Sequence, residues 1–272
     1  MNKTTKGILD VILYIIVFIV IQIAVQYAAV LIWASMKGQH FQMVLNEMVT
    51  GKNAALLAVS TAMSGLITLV LFLRTRWTPV TRDYLQSRPW VTLLWVALFT
   101  LGLMIPNSFL METLNVQMPE QYEQMFERLM KEPWGFVAVG VMAPIVEEAV
   151  FRGAILRTLL SLMGRKWHWA AICISALLFG AVHGNSAQFV NAAVLGLFIG
   201  WMYWRTKSLV PGIVLHLVNN STAYILCNLL PQSNGKLIDL FGGDQKVVYY
   251  AVGFSLCIAI PSFIQVITRM KK

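Results

Sequence analysis

Charge is scarce in this chain. Asp, Glu, Lys and Arg make up 12% of its 272 residues, 58% of residues are hydrophobic, and the mean hydropathy is +0.68. An average soluble domain carries about twice that charge, so a soluble domain of this length is excluded. Cysteine is nearly absent. Cys173, Cys227 and Cys257 lie in apolar runs without CxxC spacing, which points away from disulfides or a metal site and toward small buried hydrophobes. The HExxH pair of a zinc helix and the GxSxG turn of a serine hydrolase are missing too, and the nearest approach to a GxGD motif, Gly242-Gly243-Asp244, falls in a polar loop. No internal repeat, low-complexity tract or soluble linker interrupts the chain.

What the sequence has instead is length of apolar run. Windows of about 20 apolar residues, enough to cross a hydrocarbon core of roughly 30 Å, predict eight helices near 8–35, 54–73, 90–111, 136–160, 168–184, 187–204, 209–230 and 246–268. The expected fold class is all-α: a polytopic membrane protein, one transmembrane domain over 1–272, its helices enclosing an intramembrane cavity. Lys3 and Lys6 before the first run imitate a signal peptide, but the run from Ile8 to about Trp33 is too long for one and reads as a retained helix. The net charge of +9 collects in loops, at Arg74, Arg76, Arg82 and Arg88, at Arg165 and Lys166, and at Arg205 and Lys207, with Arg269, Lys271 and Lys272 at the end. By the positive-inside rule these loops and both termini are expected on the cytoplasmic side of a bacterial cytoplasmic membrane.

The loop after the third run is acidic. Within it Met118, Tyr122, Met125, Phe126, Leu129 and Met130 recur at helical spacing between Glu120, Glu123, Glu127 and Lys131. That pattern predicts an amphipathic interfacial helix, with a mobile lid over a substrate entrance as its alternative role. Gly180 with Gly184, and Gly196 with Gly200, have the GxxxG spacing of close helix packing.

Against this apolar background a few groups stand out. Glu147 and Glu148 sit side by side in a run that begins near Trp134 and resumes at Gly153, and an ionisable group inside a membrane segment costs roughly 2.5 to 3.5 kcal/mol. Glu148 and Arg152 are four apart, as are Phe179 and His183, and His216 and Asn220, so each pair shares one helix face. Taken together, two carboxylates, two imidazoles and a carboxamide on separate helices suggest one shared site. Carboxylate and imidazole around a water are the elements of acid/base hydrolysis, and a carboxamide donates to an oxyanion without changing charge.

Glu147-Glu148-x-x-x-Arg152, Phe179-x-x-x-His183 and His216-x-x-x-Asn220, in this order on successive helices, resemble the three motifs of the CAAX prenyl protease and bacteriocin-processing (CPBP, or Abi) family. Phe151-Arg152-Gly153 and Tyr203-x-Arg205-Thr206-x-Ser208-Leu209 are similar to its flanking pattern, and the likeness covers about 134–230. The resemblance implies an intramembrane endopeptidase in which Glu147 activates water with His183, His216 and Asn220 form the oxyanion site, and Glu148 and Arg152 support. A metal-independent reaction is favoured, with zinc on Glu148, His183 and His216 as the alternative. The expected partners are the bilayer and a membrane-embedded or lipidated peptide substrate, not nucleic acid. The competing readings are a non-catalytic relative acting in bacteriocin immunity or scaffolding, and a proton-coupled transporter.

The motifs also constrain depth. His183 lies about 15 residues, some 20 Å of helix, beyond Trp167. For the glutamates to reach it, the fourth helix must run on through Arg152 to about Met163, starting anew near Pro144 if at all, with Arg152 buried.

Overall fold

The computed structural model describes residues 2–230 and 236–270; Lys271 and Lys272 lie outside the described residues. Among these the chain is helical, without strands. Among the described residues seven helices are long and apolar enough to cross a membrane: α1 (Lys3–Lys37), α3 (Ala54–Arg74), α5 (Trp90–Thr113), α7 (Pro133–Met163), α9 (Ser186–Thr206), α10 (Val210–Leu229) and α12 (Gln245–Arg269). Between them lie the shorter α2 (Phe41–Val49), α4 (Asp83–Gln86), α6 (Glu120–Lys131), α8 (His168–Ala181) and α11 (Leu237–Leu240). The spanning helices turn large apolar side chains outward, among them Val20, Leu31, Ile260 and Ile264, each more than half exposed. Such a surface suits lipid, and the chain is an integral membrane protein.

The span expected at 168–184 is an α-helix of 14 residues, about 21 Å long. It stops at a turn over Ala181–Gly184, where Gly184 takes φ +72° and the backbone N–H groups of His183 and Gly184 donate to Gly180 and Ala181. Gly184 therefore serves the turn, not close packing. Gly180 does pack closely: a Cβ there would stand 2.7 Å from the Phe189 carbonyl oxygen. The cysteines also depart from expectation, since Cys173 and Cys257 are exposed and Cys227 is half-buried. In a membrane the outer face of a helix is as apolar as its packed face, so a small thiol is tolerated there.

Two compact units divide the chain: Met1–Val80 with Pro119–Ser175, and Thr81–Met118 with Ala176–Lys272. In the first, α2 follows from Phe41, Val44, Leu45 and Met48 at helical spacing, a short amphipathic run buried with Val30, Ala34, Leu56 and Leu129. The amphipathic helix of the acidic loop, α6, is fastened to this cluster. Leu129 is buried in it, Arg128 Nη1 donates to the Thr50 carbonyl at 2.9 Å, and Gly51, at φ +71°, lets the Met125 backbone within 3.0 Å of where a Cβ would stand. α6 is thus a docked structural helix, and the lid alternative finds no support in these contacts.

In the second unit, Phe99, Leu195, Ile199, Met202, Leu215 and Ala259 form the core of α5, α9, α10 and α12. Gly102 brings α5 against α12, where a Cβ would meet the Ala259 nitrogen at 2.6 Å, and Ser255 Oγ donates to the Gly102 carbonyl at 3.0 Å. Gly102→Val should therefore drive the two helices apart and lower the thermal midpoint of the purified protein by roughly 5 °C or more, measured in detergent.

Candidate functional site

The carboxylates belong to the first unit. α7 runs unbroken from Pro133 to Met163 and passes through Arg152, as the depth argument required, but it is not a uniform α-helix. It holds two π-helical stretches, Phe136–Met142 and Ala149–Leu156, around one α-helical segment, Ala143–Glu148, that carries both glutamates. The Ala143 N–H donates to Ala138 and the Arg157 N–H to Arg152, five residues back in each case. Pro144 supplies a cause for the first stretch: it has no N–H to give to Gly140, and its ring crowds that carbonyl in α geometry. The chain does not restart at Pro144; it widens before it.

In the second stretch, side chains donate to backbone carbonyls. Thr78 Oγ1 donates to the Ala149 oxygen at 2.6 Å, Ser175 Oγ to that of Phe151 at 3.0 Å, and Arg157 Nε to that of Gly153 at 2.9 Å. Buried backbone polarity in lipid needs such partners. The Phe151 ring meets Phe18 edge-on at 5.8 Å, which ties this turn to α1.

The two neighbouring carboxylates stand in different surroundings. Glu148 and Arg152 are both 0% exposed, and Arg152 Nη1 donates to Glu148 Oε1 at 2.9 Å. Glu147, the next residue round the helix, is only half-buried. A buried ion pair keeps its charges because each partner stabilises the other. The arrangement gives Glu148 a fixed structural commitment and leaves Glu147 the more accessible carboxylate.

The imidazoles and the carboxamide belong to the second unit. Phe179 lies against both histidines: its ring is 5.2 Å from that of His183 and 5.7 Å from that of His216, edge-on in each case. His216 is 5% exposed and His183 half-buried. His183 stands just past the end of α8, and its Nδ1 is 2.9 Å from the Phe179 carbonyl oxygen. A carbonyl only accepts, so that bond places the proton on Nδ1 and makes Nε2 the basic nitrogen. Asn185 steadies the same turn: its Nδ2 donates to the His183 carbonyl at 3.2 Å while its Oδ1 caps α9 by accepting from the Gln188 N–H at 2.9 Å.

His216 and Asn220 share α10, whose start is shaped by the stretch that precedes it. Thr206 Oγ1 accepts from the Ser208 N–H, Ser208 Oγ accepts from the Val210 N–H, Lys207 takes φ +54°, and Pro211 occupies the first turn. Asn219 Nδ2 donates to Asn220 Oδ1 at 3.0 Å, which fixes the orientation of the Asn220 carboxamide.

Thr78, Ser175, Asn185 and Asn219 were not singled out by sequence. Only Asn185 left a signal, as an N-cap two residues beyond His183. Among the described residues no group of three or more His, Cys, Asp or Glu side chains is gathered as a metal ion would require.

Residues 129–222, which include all six candidate residues, match the family model described as Type II CAAX prenyl endopeptidase Rce1-like. A Bacillus subtilis (strain 168) protein named "Putative membrane peptidase YdiL" is 23% identical over 189 residues, 65% of this chain and 76% of the relative. The "UPF0177 protein YaiF" of Lactococcus lactis subsp. lactis (strain IL1403) is 30% identical over 94 residues, 34% of this chain and 40% of the relative. No solved structure matches the chain with significance. The resemblance drawn from the three motifs therefore stands, and at family level these likenesses support a CAAX-protease-like membrane peptidase.

Proposed function

We propose that this chain, Rce1-like over the segment that carries its motifs, is an intramembrane endopeptidase that hydrolyses peptide bonds of membrane-embedded or lipidated substrates with a glutamate-activated water. The observation that carries the reading is the unequal state of the two carboxylates: Glu148 is sealed against Arg152, while Glu147 beside it keeps partial exposure. An ionisable side chain that keeps partial exposure inside a membrane-spanning helix is in the position a proton carrier needs.

In this mechanism Glu147, with His183 Nε2, takes a proton from water, and the hydroxide oxygen adds to the scissile carbonyl carbon. Asn220 Nδ2 and His216 donate to the oxyanion. The bound proton then passes to the leaving nitrogen, the C–N bond breaks, and the carboxylate and imidazole return to their starting states. One C–O bond forms, one C–N bond breaks, and no oxidation state changes; the reaction as proposed uses no metal. The active side chains lie within the span of the bilayer, both termini face the cytoplasm, and the substrate is a peptide that shares that apolar environment.

The test compares membranes that contain the wild-type chain with membranes that contain His183→Ala, by mass spectrometry of protein termini. Wild type should generate new termini that His183→Ala, present in equal amount, does not. Equal terminus profiles together with an unchanged cellular phenotype would instead indicate an immunity or scaffold role. Purified wild-type protein should keep full activity after exhaustive chelation, and loss of activity restored by added zinc would reverse the metal-free part of the proposal.

A further inference from the structure

Thr78 lies on the loop after α3, far in sequence from all three motifs, yet it is 1% exposed and rests on the helix that carries the glutamates. It grips the second π-helical stretch in two ways. Its hydroxyl donates to the Ala149 carbonyl, and its methyl fills the space beside Gly153, where a Cβ would come within 2.2 Å of Thr78 Cγ2. Arg157 closes the grip from the other end: Nε donates to the Gly153 carbonyl and Nη2 to that of Trp77 at 3.0 Å. Trp77 is itself fixed, its ring 5.1 Å from Phe72 and 5.0 Å from Tyr14. One anchored loop therefore holds both ends of the stretch.

The position matters because a π-helical turn holds one residue more than an α-helical one. Relaxing it to α geometry turns everything before it by about 100° relative to everything after it. Glu147 and Glu148 stand immediately before it, and adjacent helix residues are themselves about 100° apart. A slip of one residue is thus of the size that exchanges the sealed position for the half-buried one.

We propose that Thr78 is a positioning residue for the two carboxylates: its hydroxyl holds the π-helical register that seals Glu148 against Arg152 and leaves Glu147 accessible. The inference rests on the peptidase reading above. Thr78→Val keeps the shape and removes the donor, whereas Thr78→Ser keeps the donor.

The experiment uses the full chain in membranes, with yield of wild-type-dependent termini as one readout and hydrogen exchange of peptides covering 143–157 as the other. Thr78→Val should lose activity at least about tenfold and exchange faster over 143–157, while Thr78→Ser stays within about twofold of wild type in both. Ser255→Ala, which removes a hydroxyl-to-carbonyl bond of the same kind in the second unit, should leave activity unchanged. If Thr78→Val does not accumulate, Thr78→Ala takes its place with the same expectation. Wild-type activity and exchange in the Val or Ala variant would overturn the proposal, and so would an equal activity loss in Ser255→Ala, which would mark a general effect of stability. Should Glu147→Ala remain active, the peptidase reading fails first; should Glu147→Ala be inactive and Thr78→Val active, only this inference fails.

Discussion

Glu147→Ala is expected to abolish proteolysis, by about a thousandfold or more, and to leave the protein folded in the membrane. The side chain is half-buried, and the Glu148–Arg152 pair beside it stays intact, so its removal leaves no sealed charge without a partner. The measurement pairs the yield of new protein termini with the thermal midpoint of the purified variant, where a change of only a few degrees is expected. Glu147→Gln should be as inactive as Glu147→Ala, because an amide of the same shape cannot take a proton from water. An active Gln variant would move the base elsewhere.

Arg152→Ala should behave in the opposite way, failing as a structure before it fails as an enzyme. It strands the fully buried Glu148 carboxylate, and breaking a buried pair from one side costs about 3 to 5 kcal/mol. The expected result is loss of monodisperse protein on extraction. Replacing both partners, Glu148→Leu with Arg152→Met, should restore much of that stability, since an apolar pair of similar volume removes the desolvation cost along with the attraction. Activity should not return with it if the pair also supports Glu147. A double variant as unstable as Arg152→Ala would count against the ion pair as the source of the loss.

The spanning helices were legible because lipid imposes a length and an apolarity that any window detects, and Arg152 could be placed inside because its motif partners fixed the depth. Other features are written in weaker terms. Pro144 announces a disturbance in α7 but not its form, and the Ala149 and Phe151 carbonyls of the second stretch are met by Thr78 and Ser175, two hydroxyls that in sequence look like ordinary small residues of a loop and a helix. The end of α8 at Ala181 depends on Gly184, whose spacing from Gly180 imitates a packing motif. α2 was within reach, since Phe41, Val44, Leu45 and Met48 carry the period, but nine residues fall below the window that finds a span. The tautomer of His183 follows from one carbonyl four residues back, which any helix provides; that the ring turns to it is a fact of packing beside Phe179.

The interleaving of the two units bears on how the chain is made. The ribosome delivers Thr78 long before the carbonyl that its hydroxyl will meet, and residues 81–118, synthesised in between, belong to the other unit. Ser175, whose hydroxyl donates to the Phe151 carbonyl, emerges later still. Contacts of such sequence separation form slowly. Thr78 is thus already in place when the helix that carries Glu147 emerges, whereas the Ser175 bond to that helix waits until roughly two-thirds of the chain has been translated.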